Sequence, residues 1–211
     1  MQLAVLKGLD LVIESGKFIA IVGSSGAGKS TLLHIIGGLD QPSTGQVMFE
    51  GEDIYGLSDA ALSELRNKKV GFVFQFYHLL SEFTVLENVL IPAWINLKSN
   101  AEKERTKEIA LGLLRQVGLS DRLSHFPSQL SGGEQQRTAI VRSLINQPKL
   151  LLCDEPTGNL DFRTGSEIIG LIKKINSENH TAVVLVTHNL ELAKAADQIY
   201  SLRDGIIFDY R

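Results

Sequence analysis

The sequence predicts an α/β domain: a mostly parallel sheet flanked by helices, with a small antiparallel β edge and a helical lobe. Three observations carry this. Apolar runs of strand length, FIAIVG at 18–23, KLLLCDE at 149–155 and TAVVLVTH at 181–188, lack the polar alternation of a half-exposed strand, so both of their faces are expected to be covered. Helical stretches separate strand from strand, as crossover connections of a parallel sheet require. The segment from about 76 to 147 is mostly helical in pattern and interrupts that alternation. One domain over 1–211 is therefore expected, with 1–75 and 148–211 forming the core with its β edge and 76–147 forming the lobe.

The elements follow in order. The strand 18–23 runs into a Gly-rich loop and a helix from Lys29 to Gly37. Residues 46–50 and 70–74 read as strands, with a helix at 59–67 between them capped by Ser58 or Asp59. A helix over 85–95 is expected to be interrupted at Pro92. Ile109, Leu113 and Val117, spaced by four, make 101–117 an amphipathic helix. A helix opens near Ser131 and runs to about Asn146, and another covers 163–178. The end, 198–210, reads as a hairpin turning at Asp204-Gly205.

Composition narrows the function classes. Hydrophobic residues at 44% and charged residues at 21% describe a globular chain, not a disordered one. A formal charge of −3 gives no basic footprint, so no nucleic-acid partner is expected. The single cysteine, Cys153, cannot form an intrachain disulfide, which suits a reducing compartment, and its place inside an apolar strand marks it as core. No apolar run reaches membrane-spanning length and no secretory signal pattern opens the chain. Docking onto a membrane protein remains open.

Residues Gly23-Ser24-Ser25-Gly26-Ala27-Gly28-Lys29-Ser30 fit G-x-x-x-x-G-K-[ST] between a predicted strand and a predicted helix, the context of a phosphate-binding P-loop. Glycines free the backbone N–H groups to surround phosphate oxygens, and the helix start adds its positive dipole end. Lys29 supplies a cation for the β- and γ-phosphates, and the Ser30 hydroxyl is a candidate Mg²⁺ ligand. A second element, the strand ending in Asp154-Glu155, delivers two acids to a strand's C-terminal edge, where ligands of open α/β sheets sit. Asp154 is the candidate holder of Mg²⁺. Glu155, one residue on, points elsewhere and is the candidate to polarise an attacking water. A third element is Leu130-Ser131-Gly132-Gly133-Glu134-Gln135-Gln136-Arg137. Ser131 can cap a helix over bare glycine backbone, making a second anion-binding helix start. Standing alone, the same segment is a plain capping box with Glu134 at its third position.

Taken together, these residues make the chain resemble the nucleotide-binding subunits of ABC transporters, over essentially its whole length. LSGGEQQR at 130–137 is similar to that family's signature motif. The resemblance implies further roles: Gln75 as the Q-loop glutamine and a metal ligand, Asp154-Glu155 as the Walker B pair, Gly158-Asn159-Leu160-Asp161 as the D-loop, and His188 as the switch histidine. It implies an ATPase in which two copies form a head-to-tail dimer around two ATP molecules. Each site would take Gly23–Thr31, Gln75, Asp154, Glu155 and His188 from one copy and Ser131–Gln135 from the other, with Asp161 of the D-loop also among the nucleotide-binding residues. Within the family, QFYHLLSEFTVLEN at 75–88 is most similar to the branch serving lipoprotein release. GGLD at 37–40 and DEPTGNLD at 154–161 are shared with macrolide-efflux and cell-division relatives, which are the alternative branches. The implied partners are membrane-embedded permease subunits contacted near Gln75–Phe83, and the implied location is the cytoplasmic face of the bacterial inner membrane. Soluble members that act on DNA or ribosomes carry coiled-coil insertions or paired cassettes, and this sequence has neither. Family members usually stack an aromatic residue preceding the P-loop on adenine. Phe18 is the only aromatic among the 22 residues before Gly23. It is expected to face the core, which implies a chain start shorter than that of relatives, and weak ATP binding.

Overall fold

The computed structural model describes residues 4–95, 97 and 99–210. Its main sheet has six strands: β1 (Phe18–Val22), β4 (Val70–Phe74), β5 (Leu150–Asp154), β6 (Ala182–Thr187), β7 (Gln198–Arg203) and β8 (Ile206–Asp209). They lie in the order β4-β5-β6-β1-β7-β8, parallel throughout except for the antiparallel β7-β8 hairpin at one edge. That hairpin turns at Asp204 and Gly205, both with positive φ, as the Asp-Gly pair predicts.

Side-chain alternation explains why the central strands read as continuous apolar runs. Phe18, Leu151, Cys153, Val183 and Leu185 face one core layer with Ile140, Ile168 and Ile172. Those last three come from α5 (Gly132–Leu144) and α6 (Phe162–Asn179). Ile19, Ile21, Leu150, Leu152, Val184 and Val186 face the other layer with Leu32 and Leu33 of α1 (Lys29–Ile36). Every residue of β1 and β6 is buried, Phe18 among them at 1% exposure, so Phe18 faces the core as expected. Complete burial of Cys153 drives its thiol pKa upward, which keeps it protonated and inert. A third cluster joins α3 (Val85–Trp94), α4 (Asn100–Gln116) and α5 through Val89, Ala110, Leu114, Leu119 and Val141.

Two local expectations are corrected. The strand at 46–50 shortens to β2 (Met48–Phe49), which pairs antiparallel with β3 (Glu52–Asp53) in a separate two-stranded sheet. The cause is the turn Glu50-Gly51, with φ of 52° and 87°, which reverses the chain early. Pro92 does not interrupt α3, which continues to Trp94. Proline removes one N–H donor only near the helix's end, and its own carbonyl accepts from Asn67 Nδ2 (2.9 Å) and Asn146 Nδ2 (3.3 Å). Several helices start on side-chain caps, of which Ser58 and Ser131 are the ones expected from the sequence. Ser58 caps α2 (Asp59–Lys69), and Thr84, Ser99 and Ser131 form full capping boxes with Glu87, Glu102 and Glu134. A short helix, α7 (Leu190–Ala193), capped by Asn189, has no counterpart among the expected elements.

Candidate functional site

The register of the parallel strands assembles the site. Val22 lies opposite Thr187, Asp154 opposite Val186, and Phe74 opposite Asp154. The residues that follow, Gly23, His188, Glu155 and Gln75, therefore leave four neighbouring strands at one edge, with strands spaced about 4.8 Å apart. Residues distant in sequence meet there because every strand ends at the same level.

The loop between β1 and α1 has its tip, Ser24 to Gly26, exposed, and enters α1 through Gly28 at φ 96°. That left-handed backbone is open to glycine and strained for other residues. Lys29 is buried at 7% exposure, and its ammonium donates to the carbonyls of Gly23 (2.9 Å) and Ser24 (3.0 Å). Ser30, on the first turn of α1, places its hydroxyl 3.1 Å from Asp154 Oδ1, joining two elements 124 residues apart. Burial pushes the Asp154 pKa upward, and the Ser30 hydroxyl bond partly offsets this. A carboxylate so placed gains from a nearby cation.

Glu155 takes φ 45°, a left-handed conformation rare outside glycine, while its N–H still continues the ladder to Val186 O (3.0 Å). The twist turns its carboxylate away from that of Asp154. Oε1 lies 3.8 Å from Lys29 Nζ, and Oε2 lies 3.0 Å from His188 Nδ1 and 3.3 Å from the His188 backbone N. The acid is 15% exposed and the histidine 66% exposed, so the pair has a sheltered side and an open side. Gln75 stands half-buried at the end of β4 and reaches Asn159, with Nε2 to Oδ1 at 3.2 Å and Asn159 Nδ2 to the Gln75 carbonyl at 3.0 Å.

The predicted residues thus fall into two groups. Lys29, Ser30, Asp154, Glu155 and His188 are connected by direct contacts, with Gln75 beside them. Ser131–Gln135 form a separate helix start. Ser131 Oγ accepts from the Glu134 N–H (3.3 Å), and Glu134 returns to the Ser131 N–H (2.8 Å) and pairs with Arg122 (2.9 Å). These bonds, the Ser131 N–H first, hold the Glu134 pKa down to about 2. Gln135 donates to Leu130 O. A Cβ at Gly132 would stand 2.9 Å from Tyr77 Oη and 3.2 Å from Leu160 Cδ2. Asp161 caps α6, accepting from Thr164 N (3.0 Å) and Oγ1 (2.6 Å). In the segment 76–83, Phe76 (66%), His78 and Leu80 (45%) are exposed, whereas Tyr77 and Phe83 are half-buried. Arg142 of α5 grips this segment by donating to the carbonyls of Tyr77 and His78.

The resemblance places Gly158 and Asn159 in the D-loop, and the contact of both with Gln75 is added by the fold.

Known proteins resemble this chain in sequence and in fold. The family model described as ABC transporter matches residues 6–158. The lipoprotein-releasing system ATP-binding protein LolD of Shewanella frigidimarina is 51% identical over 203 residues, covering 96% of this chain and 84% of that protein. Its counterpart from Geobacter metallireducens is 51% identical over 201 residues, covering 95% and 88%. Among solved structures, the dimeric structure of MJ0796, a bacterial ABC transporter cassette, superposes with a TM-score of 0.88 at 42% identity, covering 98% of this chain and 91% of that one. A dimeric post-hydrolysis state of the same cassette, bound to ADP and Pi, superposes equally at 41% identity, with the same coverage. With the phosphate loop, the strand-end acid pair and the Ser131 helix start all carried on a fold that such cassettes share nearly end to end, the chain belongs to the ABC transporter family.

Proposed function

We propose that this chain is the ATP-hydrolysing subunit of a membrane transport complex, and that the complex releases lipoproteins from the bacterial inner membrane. The observation that carries the hydrolytic reading is the convergence of Lys29, Ser30, Asp154, Glu155 and His188 at one sheet edge. The lipoprotein reading rests on relatives half-identical over nearly the whole chain.

In this reading the loop Gly23–Thr31 wraps the triphosphate of ATP with backbone N–H groups, and Lys29 leaves the Gly23 and Ser24 carbonyls for the β- and γ-phosphates. The Ser30 hydroxyl and Asp154 carboxylate, 3.1 Å apart and both oxygen donors, suit a hard divalent cation that keeps most of its waters and phosphate ligands. Ser30, Asp154 and Gln75 would hold Mg²⁺, which when bound offsets the charge on the phosphates. Glu155 orients or deprotonates water, and His188, fixed by the Glu155 carboxylate, holds the γ-phosphate geometry. Ser131–Gln135 and Asp161 have their own neighbours in this chain, so we assign them to the ATP of a second copy in a two-fold, head-to-tail dimer. The exposed Phe76 and Leu80, on the segment gripped by Arg142, are the surface for a membrane-embedded permease at the cytoplasmic face.

Two measurements test the proposal together. The purified chain is expected to hydrolyse ATP, and a Lys29→Ala variant is expected to lose that activity. Tagged protein is expected to recover integral membrane proteins from detergent-solubilised membranes. Phe76→Asp and Leu80→Asp are expected to reduce that recovery without lowering basal ATPase. Recovery unchanged by both substitutions would move the docking surface elsewhere.

A further inference from the structure

The proposed site places the Gln75 carboxamide beside a cation, and a carboxamide has two chemically opposite ends. Its oxygen accepts hydrogen bonds and ligates metals, while its NH₂ group only donates. Nothing within Gln75 decides which end faces the phosphates, but its neighbours do. The backbone carbonyl of Gln75 receives Asn159 at 3.0 Å. A carbonyl oxygen can only accept, so the end of Asn159 that meets it is the NH₂ group. The opposite end of Asn159 is then Oδ1, which can also only accept, and it meets the Gln75 side chain at 3.2 Å. Gln75 has to present Nε2 there. Its Oε1 is left as the end available to other ligands.

The close approach needs Gly158. A Cβ at that position would stand 2.8 Å from both Cδ and Nε2 of Gln75, so the amide lies directly over bare backbone. Gly158 and Asn159 together form a seat of defined polarity, reached across 84 residues of sequence and mounted on the turn that follows Glu155.

We propose that Asn159 is a positioning residue that sets the polarity of the Gln75 carboxamide, so that oxygen and not NH₂ is offered to the divalent cation of bound nucleotide. This rests on the assignment of Gln75 to the cation site above. Outer-sphere partners of this kind orient a ligand without touching the metal, and removing them costs about 10- to 100-fold in metal affinity.

The test uses Mn²⁺ as the probe cation, titrated into the full chain with a non-hydrolysable ATP analogue, with free Mn²⁺ read by electron paramagnetic resonance. Asn159→Ala is expected to raise the Mn²⁺ midpoint about 10-fold, at the low end of that range because Asn159 is exposed. Gly158→Ala, which keeps Asn159 but crowds the amide, is expected to shift it in the same direction. The affinity of the analogue without metal is expected to stay unchanged in both. In the nucleotide-free protein, the Gln75 side-chain NH₂ signal in ¹⁵N NMR is expected to lose exchange protection in Asn159→Ala. In a Gln75→Ala background, Asn159→Ala is expected to add nothing. If Gln75→Ala raises the midpoint and Asn159→Ala does not, the positioning role is overturned while the Gln75 assignment stands. If the two substitutions shift the midpoint independently, Asn159 acts by another route and the proposal is equally overturned. A midpoint indifferent to Gln75→Ala removes the Gln75 assignment and this proposal with it.

Discussion

Replacing Glu155 by glutamine separates the chemistry of the site from its architecture. The carboxylate touches three groups: Lys29 Nζ at 3.8 Å, His188 Nδ1 at 3.0 Å and the His188 backbone N at 3.3 Å. Glutamine keeps the length and one acceptor oxygen. Lys29 keeps its two carbonyl acceptors, Gly23 and Ser24, so it is not left as a buried cation without partners. The His188 side chain is 66% exposed, so water replaces what the carboxylate gave it, and a pair with so exposed a partner is worth about 0–1 kcal/mol. One long backbone hydrogen bond adds about 1 kcal/mol at most. The structural loss is therefore about 1–2 kcal/mol, a melting shift of no more than about 8 °C for a chain this size. The chemical loss is larger. A positioned general base contributes about 10²–10⁴-fold, which is about 2.7 kcal/mol or more of transition-state stabilisation. Glu155→Gln is thus expected to bind ATP nearly normally, and to release phosphate at least about 100-fold more slowly in a single-turnover assay. Because Glu155 and His188 are in contact, His188→Ala added to Glu155→Gln is expected to cost less than the product of the two single effects. Single-turnover hydrolysis within about 3-fold of the native rate, well below the general-base range, would remove Glu155 from the mechanism.

Two further expectations concern the Ser131 helix start. Ser131→Arg is expected to block ATP-driven dimerisation while leaving nucleotide binding by the single chain nearly intact. Mixed with Lys29→Ala, it is expected to recover part of the activity, since the heterodimer keeps one composite site; demonstrated heterodimers with no activity would refute a shared site. Glu134, with its folded-state pKa held at about 2 against an ordinary 4.5, contributes stability that is full above about 4.5 and is lost as pH falls toward 2. Urea unfolding of native protein and Glu134→Gln is expected to differ at pH 7 and to converge near pH 2, and a difference that persists there would contradict the charge-based cap.

Much of this molecule is fixed by short-range sequence information. The strand FIAIV followed by Gly23–Ser30 and a helix is one continuous segment, so its role could be read without knowing what lies across from it. The same holds for the acid pair ending LLLCDE and for the Ser131 capping box, whose bonding partners sit within three residues. Buried strands announced themselves because covering both faces demands apolar residues at every position. Tertiary structure decided what depends on partners far along the chain. The length of the strand at 46–50 was set by a turn in which Glu50, a non-glycine, adopts positive φ while its carboxylate pairs with Lys69 and Lys149. Pro92 stayed inside α3 because it stands close to the helix's end at Trp94, where its missing N–H costs a single bond, and because the cluster around Val89 holds the helix. Within 76–83, the sequence offered an undivided aromatic stretch. Packing against α5 left Phe76 and Leu80 outside and drew Tyr77 over Gly132. The direction of the Gln75 amide was settled by Asn159, 84 residues away. Local sequence fixes conformations and caps, because those interactions span a few residues. Orientation of a side chain and exposure of a surface belong to the packed chain, because the atoms that decide them become neighbours only when the strands align in register.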